Sequence, residues 1–228
     1  DRVGRPVVLT EVGRIALDHA DRIFGTGAEL IATLDGAGSA AQPLRVGALS
    51  TLSRNFQLNF LRPVLGTVDV VLKSGSDRKS LALDVVLTTE PPHSAFGPDF
   101  TAHRIAEQPV GLHGTPARLR HDSLRALLAA EPLIVPTESS IRTGFDSLVA
   151  RLGVHPRIVA DVDDMAMVRL LARQDAGLAV APAVVLADEI ATGRLQSAPF
   201  DLRIVESFHA VTLPRSFPHP ALAGLLAG

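Results

Sequence analysis

The chain has 228 residues, of which 46% are hydrophobic and 20% are charged, and its formal net charge is −2. This composition predicts a substantial core in one large or two small domains and gives no overall electrostatic attraction to nucleic acid. The sequence has no cysteine, which excludes disulfide scaffolds and cysteine-based metal sites, and no secretory leader or long apolar run, so we expect a cytoplasmic protein that does not enter a membrane.

The first residues form a short basic segment, Arg2 to Val8, that contains Gly4 and Pro6 and is typical of half a hairpin. Because nothing precedes this segment that could pack against it, we expect that the module to which it belongs is incomplete in this chain. Thr10 follows as a candidate N-cap for a helix from Glu11 to Leu34.

Small and apolar residues recur every seven positions along this helix and predict a narrow seam that pairs with another helix. The residues of this predicted seam are Ala16, Ala20, Ile23, Gly27, Leu30 and Leu34. The alternative is a surface helix that lies on its own domain. The segment 36–43 (GAGSAAQP) that comes next is predicted to be a flexible linker.

An alternation of strand-like apolar runs and helix-like segments follows the linker and predicts an α/β fold. The first set has strands at 44–49, 68–72 and 83–87 and a helix at 54–65. The second set has helices at 123–130, 141–152, 164–173 and 183–191 and strands at 133–135, 157–160 and 178–180. Extended segments at 101–113 and 204–213 and a short helix at 220–226 complete the chain.

The connection between the second and third predicted strands is unusually short. Only Ser76 to Ala82 remain between Gly75 and Leu83, whereas parallel neighbouring strands need a crossover of about a dozen residues. Either the two strands are not parallel neighbours, or part of a crossover helix is absent. We favour the absence and expect a break or a truncated helix near Asp77 to Leu81.

Three segments resemble LysR-type transcriptional regulators. The opening RVGRPVVLTEVGR is similar to the wing and the start of the linker helix, LRVGALSTLSR (44–54) to the first strand of the effector domain, and DDMAMVRLLARQDAGLAVAP (163–182) to a late signature of the family. A narrower resemblance, to the sodium-responsive antiporter activators (NhaR-like), rests on DVDDMAM, VAPAVVLADE and FHAVTLPRSFPHPAL.

The resemblance implies an effector domain like the type 2 periplasmic binding proteins, in which two α/β lobes are joined by crossing strands, here near 107–110 and 205–208. It divides the chain into a remnant of the wing (1–10), a dimerisation helix with a flexible linker (11–42), lobe I (43–108 plus 206–228) and lobe II (109–205). It also implies that a small-molecule or ion effector binds between the lobes and that the chain forms a homodimer or homotetramer. DNA is the expected partner through a winged helix-turn-helix that this sequence does not contain.

Polar residues after the predicted strands are the candidate ligand contacts, because the carboxyl ends of strands and free helix N-termini are where α/β proteins hold ligands. They are Ser50, Thr51, Ser53, Thr88, Thr89, Thr137, Ser139, Ser140 and Pro182. Capping alone is the preferred interpretation for Ser53 and an alternative for Ser139 and Ser140. We expect the clusters at 88–89 and 137–140 to face one another across a cleft between the lobes.

Charged residues give two further expectations. Arg2 and Arg5 of the wing are expected to contact DNA phosphates, which bind by charge and carry no base information. Asp163 and Asp164 are compatible with a metal site or with a helix cap. We favour the cap, because adjacent carboxylates at the start of a helix usually interact favourably with the helix dipole.

No catalytic motif is present in the sequence. The eight histidines are scattered, without zinc-site spacing, and neither a P-loop nor a GxSxG motif occurs. We therefore predict a regulator that is not an enzyme and has no cofactor and no metal site. The alternative is a solute-binding protein of a transport system, which shares the two-lobed fold.

Overall fold

The computed structural model describes residues 10–36, 42–49, 51–75, 83–89, 100–137, 139–212 and 218–227. Its helices are α1 (Glu11–Gly36), α2 (Arg54–Leu61), α3 (Leu124–Ala130), α4 (Ser140–Leu152), α5 (Met165–Arg173), α6 (Ala187–Ala191) and α7 (Ala221–Leu226). Its strands are β1 (Leu44–Ala48), β2 (Val70–Ser74), β3 (Val85–Thr88), β4 (Thr101–Gly114), β5 (Leu133–Pro136), β6 (Ile158–Val162), β7 (Leu178–Pro182), β8 (Gln196–Ser197) and β9 (Val205–Thr212).

Two sheets of mainly parallel strands form the two lobes. In the first sheet β1 lies between β2 and β3 and is parallel to both, and β3 pairs antiparallel with β9. In the second sheet β5 lies between β6 and β7 and is parallel to both, and β7 pairs antiparallel with β4. The strand order is β2-β1-β3-β9-β4-β7-β5-β6, with β8 beside β4.

The long strand β4 belongs to both sheets. It pairs with β9 from Thr101 opposite Thr212 to Pro109 opposite Val205, and then with β7 from Val110 to His113. His113 is buried, and its ring nitrogens lie 2.9 Å from Ser197 Oγ and 2.9 Å from the carbonyl oxygen of Ala181. The result is a two-lobed α/β fold in which β4 and β9 are the crossing strands, which confirms the predicted fold class.

Each lobe has its own core. β1, β3, β5 and β7 are buried almost throughout, as expected for parallel strands covered on both faces. The core of the first lobe packs Leu44, Val46 and Leu87 of the sheet against Phe56 of α2 and Leu222 of α7. The core of the second lobe is larger, and Phe145 of α4 and Val168 of α5 are fully buried in it.

Several helix starts follow the sequence closely. Thr10 Oγ1 accepts a hydrogen bond from the Gly13 N–H at 3.0 Å, so it caps α1 as predicted. Ser53 caps α2 by accepting from the Phe56 N–H at 3.4 Å, and it is buried. The exposed fractions of Ile23 and Leu34 on α1 are 69% and 65%, so these side chains do not lie against a domain of their own chain.

Other boundaries differ from the prediction. The second strand begins at Val70 because residues 62–68 continue the turn that follows α2, and it ends at Ser74. The predicted helix 183–191 is a 3-10 turn (Ala183–Leu186) followed by the short helix α6, and β8 was not predicted.

The short connection after β2 is explained in part by the strand order. β1 lies between β2 and β3, so these two strands are not neighbours, which is the first of the two alternatives. The expectation of a break or truncated helix near Asp77 to Leu81 lies outside the described residues. Within the described ranges, no helix combines the length and the apolar character that a membrane span requires.

Gly177, at the start of β7, allows β7 to approach β5 closely. A Cβ atom at this position would lie 2.5 Å from the carbonyl oxygen of Pro132, the same oxygen that accepts a hydrogen bond from the Leu178 N–H at 2.8 Å. Since the clash is with backbone, the strands themselves would have to move.

We expect Gly177→Ala to lower the free energy of unfolding by about 1–3 kcal/mol, the usual range for an overpacked core site. Gly224→Ala in α7 is the matched control, because a Cβ there meets nothing within 4 Å and alanine favours the helix by up to about 1 kcal/mol. Urea denaturation followed by circular dichroism measures both. Equal stability of the two variants would contradict the proposed packing.

Candidate ligand-binding site

A pocket of about 140 Å³ lies where the carboxyl ends of the parallel strands of both lobes meet. Thr89, Thr137 and Asp163 directly follow β3, β5 and β6, and Thr51 follows β1 in the loop that leads to α2. This is the edge of an α/β sheet at which ligands usually bind. The described residues that line this interlobe pocket are Thr51, Thr89, Pro136, Thr137, Ser139, Ser140, Val162, Asp163, Met165 and Glu206.

Five of the predicted contact residues lie together in the interlobe pocket. Thr51 and Thr89 come from the first lobe, and Thr137, Ser139 and Ser140 come from the second. Thr89 of the first polar cluster therefore lies in the same pocket as Thr137, Ser139 and Ser140 of the second. Their contact with a ligand stays a prediction.

Three predicted residues do not line the pocket. Ser53 is buried as the cap of α2, and Thr88 is buried at the end of β3, opposite His209 of β9. Pro182 is paired with Val110 at the end of β7. The predicted contacts by Ser50 and by the wing residues Arg2 and Arg5 fall outside the described residues.

The two adjacent acidic residues, Asp163 and Asp164, differ in what their side chains contact. Asp164 Oδ1 accepts a hydrogen bond from the Ala166 N–H at 2.8 Å and caps α5, as favoured from the sequence. Asp163 lines the interlobe pocket. Among the described residues, no group of three or more His, Cys, Asp or Glu side chains is arranged to hold a metal ion.

A polar network supports the second-lobe side of the pocket. Thr137 Oγ1 donates to Asp161 Oδ1 at 2.6 Å, and Arg142 Nη1 donates to Asp161 Oδ2 at 2.6 Å. The hydrogen bond from Thr137, and then that from Arg142, lowers the pKa of Asp161. Arg142 also bonds to Asp146 at 3.0 Å, so its charge is already shared by two carboxylates.

Glu206 is the functional candidate that the sequence analysis missed. It lies on the crossing strand β9, is only 4% exposed and lines the interlobe pocket. No hydrogen bond or ion pair to its carboxyl group is found among the described residues, and burial raises its pKa to about 7. The alternation along β9 was an available signal, because Glu206 shares the inward face of Phe208 and Ala210.

Among the described residues, Glu189 is the other buried glutamate, and its surroundings are those of a carboxyl group with a structural role. Glu189 is also 4% exposed, and both of its oxygens accept hydrogen bonds from Arg169 Nε at 2.9 Å. A buried charge is normally paired in this way. Glu206 differs because its described surroundings supply no such partner.

Comparison with known proteins identifies one matching family. The sequence profile described as the LysR substrate binding domain matches residues 37–227. No protein in the curated set of sequences matches this chain.

Solved structures with a similar fold share little sequence with this chain. The bromide-bound regulatory domain of HypT from Salmonella typhimurium is 15% identical with a TM-score of 0.64, over 82% of this chain and 97% of that one. The regulatory domain of CcmR from Synechocystis in complex with 2-PG is 18% identical with a TM-score of 0.60, over 81% and 96%. DarR from Vibrio fischeri in complex with DNA is 14% identical with a TM-score of 0.65, over 100% and 81%. At these identities the similarities show the fold.

The buried carboxyl of Glu206 is expected to make stability depend on pH. The folded state keeps this proton up to about pH 7, whereas the unfolded chain loses it near 4.5. The free energy of unfolding therefore falls as the pH rises between these values, by up to about 3 kcal/mol from this group. Relative to the natural chain, Glu206→Gln is expected to gain that amount between pH 4.5 and pH 8.

Urea denaturation of both proteins across this pH range measures the difference. Glu107→Gln, on the paired strand, is the control, since the carboxylate of Glu107 is 47% exposed and bonds to Arg104. A Glu206→Gln curve parallel to that of the natural chain would show that the carboxyl group is not desolvated.

Proposed function

This chain belongs to the LysR substrate binding domain family, the effector-binding part of LysR-type transcriptional regulators, and we propose that its effector binds in the interlobe pocket. The single observation that carries this proposal is the convergence of polar side chains from both lobes on one pocket beside the crossing strands. A ligand that contacts both lobes binds one lobe arrangement better than another. Its leverage on DNA binding equals that difference in affinity.

The family consists of transcriptional regulators and not of enzymes, and it does not support the alternative of a transport protein. Among the structural neighbours, CcmR is in complex with 2-PG and HypT is bound to bromide. We propose that this chain also binds a small ligand. The proposed ligand contacts are Thr51, Thr89, Thr137, Ser139 and Ser140. Ser53, Thr88 and Pro182, the other predicted contacts within the described residues, do not line the pocket and are not among the proposed contacts.

The domain division follows from the same proposal. Residues 43–108 with 206–228 form lobe I, and residues 109–205 form lobe II. The segment 1–10 is proposed to be the end of a DNA-binding wing, where Arg2 and Arg5 meet phosphates, and 11–42 to be the dimerisation helix and its linker. DarR and CbnR have both been solved in complex with DNA, which supports the proposal that this regulator has DNA as its partner. We also propose a cytoplasmic location, as expected for a transcriptional regulator.

The helix α1 offers a surface for a second copy of this chain. Ile23, Leu30 and Leu34 of the predicted seam are 58–69% exposed. Leu17, Phe24 and Ile31 recur with the same period of seven beside them and are 49–76% exposed, so the apolar stripe is wider than predicted. A stripe of this kind along 26 residues is what a paired helix buries.

A thermal-shift screen tests the proposed effector site. A ligand at one hundred times its Kd adds about 2.7 kcal/mol of stability, which raises the Tm of a domain of this size by about 5–10 °C. We expect Thr51→Trp, which fills the pocket, to abolish the shift of any compound that stabilises the natural chain. Thr101→Trp, at an exposed position of β4 outside the pocket lining, should keep it. Loss of the shift in both variants, or in neither, would argue against this pocket.

Sodium is one compound of this screen, because the resemblance to the sodium-responsive antiporter activators predicts a response to it. Sodium is exchanged for potassium at constant ionic strength. A Tm that rises with sodium but not with potassium supports membership of this subgroup. An unchanged Tm over a wide range of sodium concentrations would show that the resemblance does not predict a response to sodium.

Dimerisation through α1 is tested by placing a charge on the stripe. We expect Ile23→Glu to weaken the dimer at least tenfold, because two carboxylates would enter an apolar seam. Thr26→Glu adds the same charge at an exposed position outside the seam and should leave the dimer unchanged. Sedimentation equilibrium gives both constants, and equal constants for the two variants would exclude this helix as the main interface.

A further inference from the structure

The charge of the interlobe pocket indicates which class of ligand it takes. Its described lining contains two carboxyl groups, Asp163 and Glu206, and no Lys, Arg or His side chain. Glu206 lines the pocket although it is only 4% exposed, and its carboxyl group has no hydrogen-bond or ion-pair partner among the described residues. Since the described protein supplies no donor to this carboxyl group, a donor must come from the pocket, where a ligand can bring it.

The cations near the pocket are already engaged elsewhere. Arg142, in the first turn of α4, bonds to Asp161 and Asp146. Arg54, in the first turn of α2, donates to Ser74 Oγ at 2.6 Å, toward the edge strand β2. On the strand beside Glu206, Arg104 and Glu107 pair with each other at 2.8 Å. In the described structure none of these three guanidinium groups bonds to Glu206.

The remaining lining distinguishes an organic ligand from a bare metal ion. Pro136, Val162 and Met165 form an apolar part of the pocket, which a carbon skeleton fills and a hydrated or oxygen-coordinated ion does not. The volume of about 140 Å³ also exceeds the space that a single ion occupies and suits a small molecule. Hydroxyl groups from both lobes, such as those of Thr51 and Ser140, line the same space and can orient a second polar group of the ligand.

We propose that the effector is a small organic cation, a primary amine on a short carbon skeleton, whose ammonium group donates to the carboxylate of Glu206 while its chain lies against Pro136, Val162 and Met165. Asp163 adds to the negative potential of the same pocket. This inference rests on the proposed function, because it names the ligand class of the proposed effector site. It differs in charge from bromide, the anion bound to HypT.

The opposing possibility is an anion at the start of α4, because Ser139 and Ser140 line the pocket and helix N-termini favour anions. The cap of this helix is already formed, since Ser139 Oγ accepts from the Arg142 N–H at 3.2 Å. An anion would also bring a third negative charge beside Asp163 and Glu206, unless Glu206 were protonated. Amines and carboxylates therefore have opposite expected dependences on pH, which separates the two cases.

The experiment compares matched probes by isothermal titration calorimetry at pH 5, 6, 7 and 8 and constant ionic strength. The probes are the unbranched primary amines of two to five carbons, together with the alcohols and carboxylic acids of the same lengths. We expect the affinity for the best amine to rise up to about tenfold per pH unit between pH 5 and 7 and to level off above, because the ammonium group pairs with the ionised carboxyl.

Three variants locate the effect. Glu206→Gln should weaken amine binding at least tenfold at pH 8 and remove its dependence on pH, and Asp163→Asn should weaken it less. Glu107→Gln, outside the pocket lining, should bind like the natural chain. Circular dichroism establishes that each variant is folded before titration.

Failure of the amine proposal and failure of the proposed function are distinguished by three outcomes. Tighter binding of a carboxylate than of the amine of equal length, lost in Thr51→Trp, would overturn the amine and leave the effector site intact. Absence of binding by all probes would overturn the amine as well. Absence of any stabilising compound in the wider thermal-shift screen would, in addition, remove the support for the proposed function.

Discussion

The antiparallel pairing of β4 with β9 is the constraint on which the rest of the molecule depends. The fourteen residues of β4 run from the first sheet into the second. β9 pairs with β4 from Thr101 opposite Thr212 to Pro109 opposite Val205, with one shift of register between Arg104 and Ala106. Both sheets are thereby fixed on one pair of strands, with the carboxyl ends of β1, β3, β5 and β6 directed at a common pocket. Loops that lie far apart in the sequence become neighbours for this reason alone.

The segment that contains the crossing strand β9 is also contacted by one helix from each lobe. Phe208 stacks on Phe56 of α2 with ring centroids 3.9 Å apart, and Gly144 of α4 leaves no room for a Cβ beside Ile204, just before β9. Glu206 lies between these two contacts along the chain. A ligand bound to Glu206 therefore acts on a segment that is packed against α2 on one side and α4 on the other, which is a physical route from the pocket to the relative position of the lobes.

Much of the fold and part of the site could be predicted from the sequence, for identifiable reasons. Runs such as 83–87 and 133–135 are apolar throughout because they are buried on both faces, and polar residues after them lie at the ligand edge of a sheet. Local signals failed where tertiary contacts decide. Thr88 and Thr89 are chemically alike, but the end of β3 buries the first and directs the second into the pocket. Glu206 was missed because an acidic residue in an alternating strand usually faces water. Only its separation by two and four residues from the inward-facing Phe208 and Ala210 places it on the buried face.

The presence of a buried carboxyl group without a partner among the described residues argues for a role outside folding. Where this fold needs a buried glutamate for structure, it supplies a guanidinium, as Arg169 does for Glu189. At Glu206 the described structure supplies none, so near neutral pH the unliganded protein bears either a desolvated charge or a bound proton. The desolvated charge is less favourable than a carboxylate paired with a cation, because a partner offsets part of the cost of desolvation. A cationic ligand that pairs with Glu206 offsets this desolvation cost when it binds. Selectivity for positive charge and coupling to the crossing strand then arise from the same side chain.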